Sequence, residues 1–369
     1  MDFLREAVMN AANEQGFVLV GIARLRQLTE HETSYRQWLA AGGNASMTYL
    51  AREPERRFDP RRLDPRYKSV VSLGYPYAAR ATPQLDWRAE MRGRIAAYAL
   101  GRDYHEVVKQ RARRVGDVIR QRCLGSITRT YVDTGPVFER EWASQSRIGW
   151  FGKNTMILNR DHGSYFFLAE IFTDAEFEAA VEPYRDHCGT CRRCLDLCPT
   201  GALADGYVMR SDLCISYQTI ENRGAIPREL RPKLGNWIFG CDICNDVCPW
   251  NDNRATDDGA DDLLPRLPEL LALSEEEFGL RFTVSAVKRA KRRGLLRNVA
   301  VALGNTGNPD AVAPLERAIE TESEPLIRSH AAWALGQIGG SAARRALERA
   351  LRDRDTAVRR EAQAALETN

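Results

Sequence analysis

The chain has 369 residues, 44% of them apolar and 28% charged, with a formal net charge of +3. That is room for about two or three domains with cores of their own, and no run of about eighteen apolar residues is present to span a membrane. Met1 is followed by Asp2, Arg5 and Glu6 rather than by an apolar stretch, so no signal peptide is expected. The expected location is cytoplasmic, with reduced thiols.

The first ~180 residues alternate helical and strand patterns, which indicates an α/β layer fold over 1–180. Phe3 to Gln15 is amphipathic and closes at Gly16, the residue type that accepts a left-handed turn at a helix end. The apolar run 17–22 follows as a strand, then a helix around Ser34 to Ala41 and a strand over 69–73. Asp103 is placed to N-cap a long helix ending at Arg122. Residues 127–132 and 164–172 are further strands, the last apolar enough for burial on both faces. No G-x-G-x-x-G follows any of these strands, which removes support for a dinucleotide site. Gly149 to Thr155 fails as a phosphate loop, because Arg147 stands where its first glycine is needed and Asn154 where its hydroxyl is needed.

Eight of the nine cysteines fall in two stretches. Cys188, Cys191, Cys194 and Cys198, followed by Pro199, have the spacing of two-cluster ferredoxins. There, three thiolates hold one 4Fe-4S cubane and the fourth ligates its neighbour. The second stretch is Cys214, then Cys241, Cys244 and Cys248 ahead of Pro249. Exchange of the fourth ligand predicts Cys188, Cys191, Cys194 and Cys248 for one cluster and Cys198, Cys214, Cys241 and Cys244 for the other. Zinc uses C-x2-C as two pairs, which the third cysteine and the C-P ending fit poorly. Disulfides need an oxidising compartment. Cys123 reads as a core thiol. The ferredoxin-like domain is placed at 181–250.

Between Cys214 and Cys241 lie 26 residues carrying Arg223, Arg228, Arg231 and Lys233. A plain electron carrier needs only a short loop there, so the insertion is expected to reach toward a substrate or cofactor. Residues 251–273 read as a linker containing Asp257, Asp258, Asp261 and Asp262. Beyond it, Leu296-Arg297, Ile327-Arg328 and Val358-Arg359 recur every 31 residues ahead of Ala-rich helices, with shorter helices between. This makes 274–369 an all-α HEAT-like repeat domain. At its start, Arg281, Lys288, Arg289, Lys291, Arg292, Arg293 and Arg297 fall in a stretch free of Asp and Glu. Such a run is either a solvated face or a docking surface for a phosphate backbone.

The ordered combination resembles the epoxyqueuosine reductase family over nearly the whole chain. The residues that carry the resemblance are Pro54 to Pro60, Tyr98 to His105, Val132 to Pro136 and Gly149 to Met156, together with the eight cysteines, Cys214-Ile-Ser216 and Arg297-Asn298. The resemblance implies an oxidoreductase that completes queuosine in the anticodon loop of certain transfer RNAs by removing an epoxide oxygen. It also implies two 4Fe-4S clusters and cobalamin, bound base-off between the α/β domain and the cluster module. Arg57 matches a cobalamin-contacting arginine. Ala96, Asp133, Gly152, Lys153, Asn154, Ile157 and Leu168 match positions around the pocket, and Ser216 and Asp242 positions on its cluster side.

Asp133 matches the family's proton donor. On the residues alone, an Asp at such a strand end is more often an N-cap for the helix that follows. An acid active near neutrality calls for a carboxyl whose pKa is raised by burial. Tyr104 and His105 lie in one of the matching motifs, either assisting or structural. Asn222, Arg223, Lys288, Arg289, Lys291, Arg292, Arg293 and Arg297 are the candidate tRNA contacts. The expected partners are that tRNA and an external low-potential electron donor, with no membrane and the chain acting as a monomer. Two other classes remain open at this point. One is a corrinoid reductase of small molecules, which would carry an export signal and no repeat tail. The other is a non-catalytic scaffold, which would bind no cobalt.

Overall fold

A computed structural model describes residues 2–80, 85–178, 184–203, 206–252, 255–256 and 264–367. The chain divides into two compact units built from interleaved segments. The first comprises 1–79, 103–212 and 243–255, and the second 80–102, 213–242 and 256–369. The serial boundaries expected from the sequence therefore do not delimit the packing units.

In the first unit, β1 (Leu19–Arg24), β2 (Ser69–Pro76), β3 (Thr128–Tyr131) and β4 (Phe166–Thr173) form one sheet in the order β1-β2-β4-β3. Every pairing is antiparallel. The layering expected of an α/β chain is present, without parallel crossovers. On one face the helices Asp2–Glu14 and Tyr104–Arg122 bury Val8, Ala12, Val108, Val115 and Ile119 against Ile22, Val71, Leu73 and Ile171. On the other face Phe58, Val70, Tyr131, Trp142 and Phe172 close a second core. Burial on both sides explains the mostly apolar character of β2 and β4, interrupted where Ser72 faces Glu170 across the pair.

Two local differences have clear causes. The first strand starts at Leu19 because Phe17 turns into the core, its amide bonded to the Ala12 carbonyl while Gly16 takes φ +83°. The third starts at Thr128 because the Ile127 amide is capped by the Asp174 carboxylate. Asp103 caps the Tyr104–Arg122 helix as expected, accepting the His105 amide.

In the second unit, helices Lys291–Thr306, Val312–Thr321, Pro325–Ile338, Gly340–Ala350 and Thr356–Glu367 form the repeat stack. Small residues let the long helices touch: a Cβ on Gly304 would lie 2.8 Å from Ala334 Cα, and one on Gly336 2.7 Å from Ala365 Cβ. The expected linker is partly structured, since Leu267–Leu271 is a helix with Leu267 and Leu270 buried. Asp257, Asp258, Asp261 and Asp262 lie outside the described residues.

The insertion between Cys214 and Cys241 belongs to this unit and is bolted to the repeats. Its strand Trp237–Phe239 pairs in parallel with Arg94–Ile95. Asn298 donates to the Thr219 and Ile238 carbonyls, and buried Arg231 forms an ion pair with Glu361. Arg228 reaches the same carboxylate. These charges fasten the insertion to the stack, so the reach toward a ligand expected of Arg228 and Arg231 is not what they do.

Candidate active site and cluster ligands

Asp133 follows β3 in a left-handed conformation, φ +49°, which Asp tolerates better than most residues. Its side chain is 60% exposed. Its Oδ2 accepts the Tyr104 hydroxyl at 2.5 Å and lies 3.5 Å from His105 Nε2. His105 is held from behind by Asp103, whose Oδ1 is 2.7 Å from Nδ1. The Tyr104 ring stacks on both His105 and Phe167. Asp133 is not the cap of the Glu139–Gln145 helix, whose N-cap position is Phe138. Instead the Asp133 amide donates to Glu139 Oε1 at 2.6 Å, from the first turn of that helix.

The electrostatics differ from expectation. Desolvation pushes Asp133 up, but the ion-pair contact with His105 and the hydrogen bond from Tyr104 outweigh it, so its pKa falls below the ordinary aspartate value. The raised carboxyl is Glu139, pushed up to about 8 by burial and then by the charge of Asp133. Behind it, fully buried Glu170 on β4 is raised well above the ordinary range, by burial first and with a contribution from Glu139. Ser72, its register partner on β2, donates to one Glu170 oxygen, and the other has no partner. Burial disfavours the charge on His105, but the Asp133 carboxylate beside Nε2 and the Asp103 bond at Nδ1 prevail and its pKa is raised. No sequence motif marks Glu139; the signal was a carboxylate six residues beyond a strand-ending aspartate.

Arg57 is 7% exposed and binds the Gly135 and Tyr49 carbonyls at 3.3 and 3.1 Å. Among the described residues its buried Nε has no hydrogen-bond partner, which fits a polar cofactor group. The Gly152–Thr155 turn joins this region to the cysteine hairpins. Lys153 Nζ donates to the Gly189 and Cys191 carbonyls at 2.6 and 2.9 Å, and Asn154 Nδ2 to the Cys244 carbonyl at 3.2 Å. A Cβ at Gly152 would lie 2.6 Å from Asn154 Oδ1, so a larger residue there would displace the Asn154 amide. Ile157 and Leu168 pack together with Ala143 and Phe166. In the second unit, buried Asp242 accepts the Ala97 amide at 2.7 Å beside fully buried Ala96, while Ser216 sits half-buried on the Ile215–Ile220 helix.

Four thiols converge in the first unit. Cys188, Cys191 and Cys194 all act electrostatically on Cys248, which burial and their proximity push up to about 11. Cys188 and Cys248 pack with Trp150, Tyr184 and Trp250. Among the described residues the buried Trp150 indole N–H has no hydrogen-bond partner and lies by the Cys188 sulfur, so a cluster-bound thiolate there would satisfy it. These are the four ligands predicted for one cluster. Of the other set, Cys198 and Cys244 belong to the first unit and Cys214 and Cys241 to the second. Cys123 is half-buried against the first core.

The basic run separates into two groups. Arg297 is fully buried and donates to the Gln218, Asn222 and Gly224 carbonyls at 2.6, 2.8 and 2.6 Å, and to Asn298 Oδ1. It is therefore not placed to meet a phosphate, contrary to the sequence reading. The equivalent repeat arginines behave alike: Arg328 and Arg359 each bind the carbonyls six and five residues upstream. Arg292 is also withdrawn, 11% exposed and paired to Glu322. Asn222 is half-buried and bonded to Gln218. Arg223, Lys288, Arg289, Lys291 and Arg293 are exposed, Arg289 pairing with Glu221 and Arg293 with Glu324.

Residues 57–134 match the family described as "Epoxyqueuosine reductase QueG, DUF1730", 187–251 a 4Fe-4S double cluster binding domain, and 280–367 HEAT repeats. Epoxyqueuosine reductase of Pseudomonas aeruginosa is 40% identical over 344 residues, covering 91% of this chain and 95% of that protein. The chain belongs to the epoxyqueuosine reductase family. The family member from Escherichia coli is 39% identical over 339 residues, with 88% and 86% covered. A crystal structure of epoxyqueuosine reductase with an epoxyqueuosine-modified tRNA-Tyr stem loop superposes with TM-score 0.91 at 31% identity, covering 99% and 98% of the two chains. The Bacillus subtilis epoxyqueuosine reductase, solved with its aspartate-bearing catalytic loop swung out of the active site, gives 0.91 at 30% identity over the same shares. Two 4Fe-4S clusters follow from the matched domain and its eight cysteines. Among the described residues no helix is long and apolar enough to cross a membrane.

Proposed function

We propose that this chain reduces the epoxide of epoxyqueuosine in a tRNA anticodon loop to the alkene of queuosine. The observation that carries the reading is Asp133, an exposed carboxylate oriented by Tyr104 and His105, in a unit that also gathers four thiols. The reaction releases the epoxide oxygen as water and consumes two electrons and two protons. Asp133 protonates the leaving oxygen, help worth ~10²–10⁴-fold in rate. Tyr104 fixes the carboxylate rotamer, and Asp103 holds His105 beside it, which favours the imidazolium form of that ring. The relative with a swung-out aspartate loop supports a loop that moves between admitting and engaging the substrate.

Cys188, Cys191, Cys194 and Cys248 would hold one cluster and Cys198, Cys214, Cys241 and Cys244 the other, fed by an external low-potential donor. Cobalamin is the proposed cofactor, and when bound it supplies a reducible cobalt that delivers electrons to the epoxide carbon. The unpartnered Arg57 Nε fits a polar group of that cofactor. The further proposed contacts are Gly152, Lys153, Asn154, Ile157 and Leu168 in the first unit and Ala96, Ser216 and Asp242 in the second. Arg223, Lys288, Arg289, Lys291 and Arg293 are the proposed phosphate contacts, in line with the relative solved with a modified stem loop. Asp133→Asn tests the reading. It keeps iron, cobalt uptake and stem-loop affinity, and loses ~10²-fold or more of turnover. Turnover near wild type would sink the assignment.

A further inference from the structure

Two carboxyls, not one, stand at the end of β3. Glu139 Oε1 takes the amide of Asp133, so the second acid is fixed to the residue that does the chemistry. Their surroundings are unequal. Asp133 is faced by the Tyr104 hydroxyl and His105 from the long helix, both favouring its ionised form. Glu139 is faced by Asp133, by its neighbour Arg140 and more weakly by His105, and it lies near buried Glu170 on β4. Two adjacent carboxylates resist joint ionisation, and the less solvated one keeps the proton.

On the functional reading above, we propose that Glu139 is a positioning residue that shares one proton with Asp133 and hands it over when the epoxide oxygen leaves. In that step the Glu139 O–H breaks as an O–H forms on Asp133, the Asp133 O–H then breaks as one forms on the epoxide oxygen, and the C–O bond cleaves with electrons supplied through the clusters. The Asp133 carboxylate, exposed to water, is then recharged for the second protonation that releases water. The pair titrates as a unit, and its last proton is lost at the raised value associated with Glu139. Activity therefore holds through neutrality and falls on the alkaline side of that value.

Glu139→Gln separates this role from a structural one, because the amide oxygen still accepts the Asp133 N–H while the proton store is gone. The expected result is an alkaline limb of kcat/KM moved acidward by roughly two or more pH units, on an epoxyqueuosine stem loop. Carboxyl carbon-13 NMR on the oxidised holoenzyme gives a readout without turnover. Glu139 should titrate above ordinary glutamates and drop by about one unit or more in Asp133→Asn. A Glu139 that titrates in the ordinary range overturns the proposal. So does a Glu139→Gln limb that coincides with wild type while His105→Asn moves it. A wild-type chain with no epoxide-reducing activity would instead defeat the functional reading, since the titration needs no substrate.

Discussion

Replacing Arg297 by methionine, close in volume and without charge, tests whether the repeat arginine is structural. The guanidinium satisfies three backbone carbonyls and the Asn298 side chain from a fully buried position. Asn222 and Gly224 lie nearer the surface and regain water when it is lost. The Gln218 carbonyl and Asn298 Oδ1 are buried and do not. At ~1–3 kcal/mol per stranded buried acceptor, the gross loss is about 2–6 kcal/mol. Relief from burying a guanidinium offsets part of it, since burial and the nearby Arg223, Arg293 and Arg231 charges already lower its pKa to about 9. A net loss of about 2–4 kcal/mol remains, or roughly 5–15 °C in Tm for a unit of this size. The assay is denaturant unfolding of the cluster-loaded protein, with stem-loop binding measured at two salt concentrations. Wild-type stability combined with a salt slope flattened by ~1 would mean that Arg297 contacts a phosphate, and would refute the reasoning.

His330 is fully buried, with Nε2 accepting the Ile226 amide and Nδ1 bonded to the Leu326 carbonyl, so it is held neutral. Burial, then the charges of Arg231 and Arg297, put its pKa well below the ordinary value. Its contribution is complete above the unfolded value of about 6.5 and is lost as pH falls toward the folded one, because only the unfolded chain takes the proton. Equilibrium unfolding between about pH 8 and 5 should therefore show a slope that His330→Gln flattens; equal slopes would contradict it. Gly304→Ala and Gly279→Ala should shift Tm in opposite directions. The first pushes a methyl within 2.8 Å of the next helix and loses ~1–3 kcal/mol, and the second enters open space and gains ~0.5–1 kcal/mol.

Features that depend on neighbouring positions in the chain were legible before any coordinates. The cysteine spacing yielded four thiols that meet, because a cluster loop takes its ligands from adjacent residues. The Asp103 cap and the Gly16 stop were equally local. What failed depended on distant partners. Arg297 was read as surface charge, although its recurrence with Arg328 and Arg359 at 31-residue spacing already marked it as part of the repeat itself. Arg228 and Arg231 of the 215–240 insertion were read as reaching toward a substrate or cofactor, and nothing in its composition reveals that Glu361 claims both or that Asn298 holds the Thr219 and Ile238 carbonyls. The Asp133 pKa was expected to rise, and the Tyr104 bond and the His105 contact that lower it arise only from the fold.

The turn at Lys153 and Asn154 is a shared support. These neighbouring side chains hold the backbone of both cysteine hairpins, and Arg140, next to Glu139, reaches back to the Thr155 carbonyl of the same turn. The thiol-bearing hairpins and the carboxyl-bearing loop thus lean on one short stretch of chain, so a change that loosens it is felt at both ends of the first unit.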